Sequence, residues 1–596
     1  MINQVNDNYK SFPDYRDQSI NNKLTLIKGG VMLSKRYFTY CLFLVLLFPG
    51  FALGQSVLRL VPWDGTSGTE LINQIKADTT ANHGIPAGRV YELDGGGLYI
   101  CQETFYVEDQ SALKMRSSNT EKAVIYLYPT GSGSNPQNPP GYFVRLRGGD
   151  LEMTNIALTG FFEPVDSNFN NIQGGMLRTD NEGSNIILDG CIFSNINGQV
   201  IRCEASTGTI KVTNSIFTNL GALSTSNFGA GKGIDLRASS VDSLILVNNT
   251  FTNYQDRVVR HYNFSNPLAG TGNIDYCLID HNTIYDGMGF HGLLSLGNVG
   301  SKVIITNNLF KDAFAAGEDS TDATRAAEWA NTGEKYPNGL NRIMWIFTAP
   351  NDSTEWVVNH NYYAVSSAGQ SFFDDHTAEP IVVGSPLSWH INSRLGADSV
   401  NAFTLIDDPG LSKTQDLMLN LMKWYVNPAG GNKTKNTPTT LWDPKKDDMD
   451  RRPIKYWTDT LDASYSTASP AYTGAAGGFP AGDLNWFPAK YAEWLANPTD
   501  VRSNSGFVVS DFHLAQNYPN PFNPATKIEF SVPRSGSYTL KVYNSLGQEV
   551  AALLNGEIKA GSYTADFNAS GLASGLYIYR LSGQGINMAK KMVLMK

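Results

Sequence analysis

The sequence predicts an all-β chain, a β-solenoid followed by a small C-terminal β-sandwich. Three observations carry that expectation. Charged residues make up only 17% of the 596, below the roughly 25% of an average soluble domain, so few solvated helix faces can be built. Aromatic residues reach 11% and glycine contributes 56, a mixture that favours strands and tight turns over amphipathic helices. A short apolar pattern also recurs seven times in the middle of the chain. Together these exclude an all-helical protein. The formal net charge of −9 argues against nucleic acid as a partner, because phosphate binding needs a basic surface to displace counterions. An acidic polysaccharide remains compatible where cations gather locally.

Residues 1–54 read as a leader and signal peptide. Lys35 and Arg36 precede the apolar run from Tyr37 to Phe51, and the small residues Ala52 and Gly54 precede Gln55, the order of a secretory signal. Met32 is the expected start: the 31 residues before it sit awkwardly ahead of the charged segment, and Lys28-Gly29-Gly30 is what a ribosome-binding site encodes when read through. No other run approaches the roughly 20 apolar residues of a membrane span, so no transmembrane span is expected in the mature chain. Past the leader the thiols are Cys101, Cys191, Cys203 and Cys277. They lack the spacing of a zinc site or a disulfide framework and read as buried positions.

Residues 55–150 mix short apolar alternations with Gly95-Gly96-Gly97 and a Pro-rich loop at Pro136 to Pro140. They are expected to form the N-terminal cap and first coils, since solenoid ends need covering. The repeat proper spans 151–400. It reads Leu151-Met153-Asn155-Leu158, Ile186-Leu188-Gly190-Phe193, Ile210-Val212-Asn214-Phe217, Leu244-Leu246-Asn248-Phe251, Cys277-Ile279-His281-Ile284, Val303-Ile305-Asn307-Phe310 and Trp356-Val358-His360-Tyr363. Period-two alternation buries one strand face, and the Asn position marks a bend into the next strand. Intervals of 24 to 53 residues between repeats fit coils with variable insertions, each unable to bury its core alone. One residue past the bend runs a second series, Asn249, Asn282, Asn308 and Asn361, whose amides can satisfy one another between stacked coils. This series resembles the asparagine ladder of right-handed parallel β-helix proteins.

Between Phe314 and Gly339 the pattern breaks at an insertion carrying a short helix around Thr324-Arg325-Ala326-Ala327-Glu328-Trp329. Residues 401–505, rich in Trp and Tyr, are expected to wrap the solenoid as a C-terminal segment; their acidic cluster Asp447, Asp448 and Asp450 lies among Lys445, Lys446, Arg451 and Arg452 and reads as a solvated loop. Residues 506–596 form the sandwich, with strands at Lys527–Val532, Tyr538–Tyr543, Ser562–Phe567, Leu576–Leu581 and Ala589–Leu594. Asn517-Tyr518-Pro519-Asn520-Pro521-Phe522-Asn523-Pro524, Val542-Tyr543-Asn544-Ser545-Leu546-Gly547, Leu572-Ala573-Ser574-Gly575-Leu576-Tyr577 and Lys590-Lys591-Met592-Val593-Leu594 together look like a type IX secretion sorting domain. That resemblance implies the type IX machinery as a partner and an extracellular or outer-surface location.

Four segments place an arginine after an apolar residue: Met176-Leu177-Arg178, Val200-Ile201-Arg202, Asp235-Leu236-Arg237 and Val258-Val259-Arg260. With the apolar neighbour in the core, each arginine points outward, and stacking aligns them as a basic stripe. Guanidinium groups bind carboxylates through paired hydrogen bonds, so Arg178, Arg202, Arg237 and Arg260 are candidate substrate-binding residues for a uronate-bearing polysaccharide. The competing expectation is that they pair with Asp180, Glu204 and Asp235 nearby.

Ile279-Asp280-His281-Asn282 with Asp286-Gly287, the run Gly300 to Phe310, and Asn359-His360-Asn361-Tyr362-Tyr363 are similar to segments of the pectate lyase family. That resemblance implies calcium-dependent β-elimination, with an Arg-x-Pro-x-x-Arg segment supplying the base. Here the matching stretch is Ala364 to Gln370, which has neither Arg nor Pro. Elimination needs a base and a cation to stabilise developing charge. An active lyase would recruit Arg237 or Arg260 as base, with Asp235 or Asp286 holding calcium. Hydrolysis ranks lower: Gly289-Phe290-His291-Gly292 only partly matches the Gly-His-Gly of β-helix polygalacturonases, and Asp374 and Asp375 are adjacent, so in a strand they face opposite ways. His281 and His360 occupy ladder positions and read as structural. Two functions remain, a pectate-lyase-like enzyme on acidic polysaccharide and a non-catalytic surface protein for glycan binding or adhesion.

Overall fold

The computed structural model describes residues 56–130, 139–160, 173–221, 230–262, 271–289, 293–315, 344–346, 353–375, 394–425, 461–496, 502–503, 512–517, 520–532, 534, 536–558 and 561–595. The expected leader, the insertion helix at 324–329, the acidic loop at Asp447, Asp448 and Asp450, and Phe290, His291 and Gly292 lie outside these residues.

From Ser56 the chain winds through three parallel sheets in rotation. One coil runs Gly175–Asn181 in an eight-stranded first sheet, Ser184–Asp189 in a ten-stranded second, and Ile192–Ile196 in a ten-stranded third. The next coil repeats the cycle with Gln199–Cys203, Thr207–Thr213 and Ile216–Leu220, each parallel to its predecessor. This is a parallel β-helix. All seven bend positions of the repeat, Asn155, Gly190, Asn214, Asn248, His281, Asn307 and His360, have φ between 51° and 63°. A left-handed residue turns the second sheet into the third, and Asn, Gly and His tolerate that conformation where β-branched residues do not.

The amide ladder follows immediately. The Nδ2 of Asn249 donates to Oδ1 of Asn282 at 3.0 Å, Asn282 to Asn308 at 3.0 Å and Asn308 to Asn361 at 2.8 Å. The same oxygens accept the backbone N–H of the previous coil, so Asn249 N–H reaches Asn282 Oδ1 at 3.0 Å. Each side chain is fully buried, so each must meet its polar capacity inside the coil. A second left-handed row, Asn195, Asn219, Asn253, Asp286 and Asp312, turns the third sheet toward the first. Its amides pair like the first row's, Asn253 Nδ2 to Asn219 Oδ1 at 2.8 Å, until the ladder changes to carboxylates. There Lys311 bridges Asp286 at 3.1 Å and Asp312 at 3.2 Å.

Inward residues stack by kind. Phe193, Phe217 and Phe251 occupy one position of the third sheet in successive coils, with centroids 5.0 and 4.5 Å apart, and the four cysteines are free and buried. At the start, α1 (Leu71–Asn82) inserts Leu71, Ile72 and Ile75 into the same core and packs on Leu98–Cys101, the terminal strand of the third sheet. The segment Ala364 to Gln370 enters a second helix, α2 (Ser367–Asp374), capped by Ser366, so Asp374 closes a helix rather than lying in a strand.

The stretch 461–496 forms a strap along the bend row. Gly482 N–H donates to Asn307 O at 2.7 Å, Asp483 N–H to Thr283 Oγ1 at 2.8 Å, and Tyr491 Oη to Asn214 Oδ1 at 2.9 Å. At its centre Asp483 is 1% exposed and accepts from Thr250 Oγ1, Asn485 N–H and Asn485 Nδ2 at 2.7 to 2.9 Å. Burial pushes its carboxyl up to about 7, against the lowering by those donors and by His281. A raised carboxyl stabilises the fold fully below its unfolded pKa near 3.8, and that contribution is lost as pH rises through about 7. Asp483→Asn is therefore expected to gain thermal stability on its parent between pH 5 and 8. Melting curves of both across that window check it, and parallel pH profiles would show that Asp483 does not titrate there.

Residues 502–503 and 512–595 include two four-stranded antiparallel sheets, the first ordered Arg502–Ser503, Gly561–Asn568, Ala525–Val532, His513–Leu514 and the second Glu549–Ile558, Gly536–Asn544, Gly575–Gly583, Ile586–Leu594. Phe522, Ile528, Phe530, Tyr538, Leu540, Val542, Tyr579 and Met592 fill the sandwich core. The opening motif is tied in by Asn517, which donates through N–H to Tyr579 Oη at 2.8 Å and through Nδ2 to Thr526 Oγ1 at 3.0 Å.

Candidate functional site

The arginines stand on the outer face of the first sheet. Core residues Val144, Leu177, Ile201, Ile234, Val259 and Leu294 are in register and inward, so the following residue of each points out. That outer row reads Tyr106, Arg145, Arg178, Arg202, Asp235, Arg260 and Ser295. Arg178, Arg202 and Arg260 are thus brought into one row and Arg237 is not. A register shift after Asp235 leaves Arg237 opposite His261 with φ 52°, and Asp235 takes the row position. Arg145 belongs to the row although its strand precedes residue 151; its signal, Val144-Arg145, has the same apolar-then-Arg form.

The row has an open part and a buried part. In the open part Arg145 and Arg178 both meet Asp180, at 2.7 and 2.8 Å, and Arg202 meets Glu204 at 2.6 Å, a carboxylate that Arg237 approaches from outside the row at 3.6 Å. A register irregularity between Thr179 and Asn181 turns Asp180 back onto both arginines. Arg147 pairs with Glu108 at 3.1 Å and lies 4.0 Å over the ring of Tyr106. Five guanidiniums therefore meet three carboxylates, an excess of positive charge on an acidic chain. The five arginine side chains are 24 to 44% exposed, where an ion pair is worth about 0–1 kcal/mol. Each closest approach of Arg145, Arg178, Arg202 and Arg237 uses Nε. A guanidinium carries five N–H donors, so donors remain for a ligand.

In the buried part Arg260 Nη1 donates to Asp235 at 2.8 Å, and Lys232 pairs with Asp256 at 2.8 Å. Arg257, 2% exposed, donates to Asp256 at 3.0 Å, Tyr262 Oη at 3.0 Å and Ser295 Oγ at 3.2 Å. Burial alone would raise the Asp235 carboxyl, but Arg260 and Lys232 hold it below its ordinary value. Burial opposes the charge of Arg260, yet Asp235 and Tyr262 leave its proton held more tightly than usual. Neighbouring His261 is pushed down to about 4 by burial. Lys232, Asp256, Arg257 and Tyr262 were not legible as a cluster, since nothing local in sequence signals a buried charge.

The calcium candidates do not form one donor set. Asp235 is on the first sheet and engaged by Arg260, whereas Asp286 follows Thr283–Tyr285 of the third sheet and meets Lys311. Burial, with Asp312 and Asp408, pushes the Asp286 carboxyl up to about 7 in spite of Lys311. Among the described residues no group of three or more His, Cys, Asp or Glu side chains is arranged to hold a metal. Asp280 and His281, which carry the resemblance to pectate lyases, sit at the bend between the second and third sheets. There Asp280 accepts from Thr306 Oγ1, Asn307 Nδ2 and His281 Nδ1 at 2.7 to 3.0 Å.

Fold and site together define a parallel β-helix protein with a charged outer row, followed by antiparallel sheets. Residues 516–595 match the family model of the secretion system C-terminal sorting domain. That module marks the chain for type IX export to the cell surface or extracellular space, and among the described residues no helix is long and apolar enough to cross a membrane. Comparison with curated proteins and with solved structures gives no match.

Proposed function

We propose that the exported β-helix binds acidic polysaccharide along the open arginine row and does not cleave it. The observation that carries this reading is the in-register placement of Arg145, Arg178 and Arg202 on three successive coils, with more guanidinium than carboxylate around them. Rungs of a parallel sheet lie ~4.8 Å apart, so a glycan laid along the coil axis meets a cation at each one.

Elimination finds less support. Arg260 is buried, bound to Asp235 and biased toward its protonated form, the wrong state for a base. Arg237 is out of the row. Titration of the full chain with an acidic polysaccharide and with its carboxyl-reduced, neutral counterpart tests the proposal. Binding of the acidic form alone, weakening as salt rises, is expected; equal binding of both forms would refute it.

A further inference from the structure

Two carboxylates close on one buried lysine where the third sheet turns toward the first. Lys311 Nζ donates to Asp286 Oδ1 at 3.1 Å and to Asp312 Oδ2 at 3.2 Å, and the three side chains are 10, 2 and 1% exposed. Lys311 ends Leu309–Lys311 and Asp286 follows the parallel partner strand Thr283–Tyr285, so the contact joins successive coils. The two acids are held differently. Asp312 Oδ1 accepts the N–H of Ser366 at 2.9 Å, at the head of α2, whereas Asp286 Oδ2 is buried with no hydrogen-bond partner among the described residues. Close by in the chain, Met288, Ala315, Phe372 and Phe373 form a buried apolar cluster. Lys232, also buried at a carboxylate, differs in that Arg257 engages the same Asp256.

We propose that Lys311 and Asp286 join in an intramolecular amide that staples the two coils. Nζ passes a proton to Asp312 and attacks Cγ of the protonated Asp286 carboxyl. The Nζ–Cγ bond forms, the Cγ–Oδ2 bond breaks, and Oδ2 leaves as water. Of the three ammonium protons one stays on the amide nitrogen, one departs in the water beside the carboxyl's own, and one remains on Asp312. No electrons are transferred, so no oxidant or reductant is needed. Asp286 is the acid attacked because its Oδ2 is free to leave, while Asp312 is tied to Ser366 and serves as the proton relay. With the Asp286 carboxyl raised to about 7, the uncharged acid that an amine can attack is present near neutral pH. Burial opposes the charge of Lys311, but Asp286 and Asp312 hold its proton, so a relay has to take that proton before Nζ becomes a nucleophile. Tyr254, Tyr285 and Asp408 are the other titratable groups beside these acids, and Tyr254 is committed to Ala313 O. Amine and acid held in contact react without a bimolecular encounter, and burial excludes the water that would reverse the step.

Tryptic digestion of the full, denatured chain followed by tandem mass spectrometry reads the bond directly. Trypsin does not cut after an acylated lysine. The expected product is His261–Lys302 joined to Val303–Arg325 through Lys311, lighter than the two separate peptides by one water. In Lys311→Arg, which keeps the charge and forms no such amide, the two are expected apart, with cleavage after residue 311. The parent decides the matter whether or not that variant folds. Release of unmodified Val303–Lys311 from the parent would overturn the proposal, and a water loss confined to Val303–Arg325 would put the bond on Asp312 and overturn it equally.

Discussion

Asn282→Ala is expected to destabilise the β-helix by about 3–5 kcal/mol, measured as the shift in denaturant midpoint of the full chain. The Oδ1 of Asn282 accepts both the backbone N–H and the Nδ2 of Asn249 at 3.0 Å, and its Nδ2 donates to Leu246 O and to Asn308 Oδ1, each at 3.0 Å. Alanine removes both roles at a site that is fully buried. Two donors of Asn249 and the oxygen of Asn308 lose a partner, and a buried polar group left unmet costs about 1–3 kcal/mol. Lys211→Ala, on an exposed outer position of the second sheet, provides the contrast and is expected to stay within about 0.5 kcal/mol. A loss below about 1 kcal/mol for Asn282→Ala would mean the ladder is ornamental to stability.

Arg178→Ala combined with Arg202→Ala is expected to lower affinity for acidic polysaccharide about 100-fold with little change in stability. The two are register partners, so under the proposed binding both would donate to the same stretch of ligand. A charge-assisted hydrogen bond contributes about 1.5–3 kcal/mol, so two lost contacts reach that magnitude before ligand rearrangement is counted. Stability is spared because both side chains are part-exposed and their ion pairs are of the weak, solvent-screened kind. Affinity measured by calorimetry beside a melting curve separates the two effects. Unchanged affinity in a folded variant would remove the row from the binding surface.

Much of the coil was legible because its demands are local. A period of two buries one face, and a left-handed bend admits few residue types, so Asn155 to His360 announce the turns in sequence. The Asn249 to Asn361 ladder was legible for the same reason, as amides recurring one residue past each bend. The second bend row was not foreseen, because Asn195, Asn219, Asn253, Asp286 and Asp312 change chemistry midway and follow buried hydroxyls and a lysine rather than a uniform apolar pattern. In the sandwich the strand Glu549–Ile558 was missed: Ala551, Ala552, Leu553 and Leu554 carry no strand preference, and pairing with Gly536–Asn544 decides the matter.

The candidate site was legible only in outline. The apolar-then-Arg form located the face, but the coils align so that Asp235, not Arg237, stands opposite Arg202 and Arg260, and a register shift then sets Arg237 opposite His261. Shifts of that kind depend on the neighbouring coil and leave no mark in the strand itself. The buried set around Arg257 is likewise a product of stacking, since Ser295 and Tyr262 reach it from other positions of the chain.

The central claim is that this exported β-helix holds acidic glycan and leaves it whole. The most direct test incubates the full chain with ionised polyuronates and calcium while binding and the ultraviolet absorbance of unsaturated uronate products are followed together. The account predicts saturable binding with a flat absorbance trace. Absorbance that rises with time and stops on chelation would contradict it and make the protein a lyase.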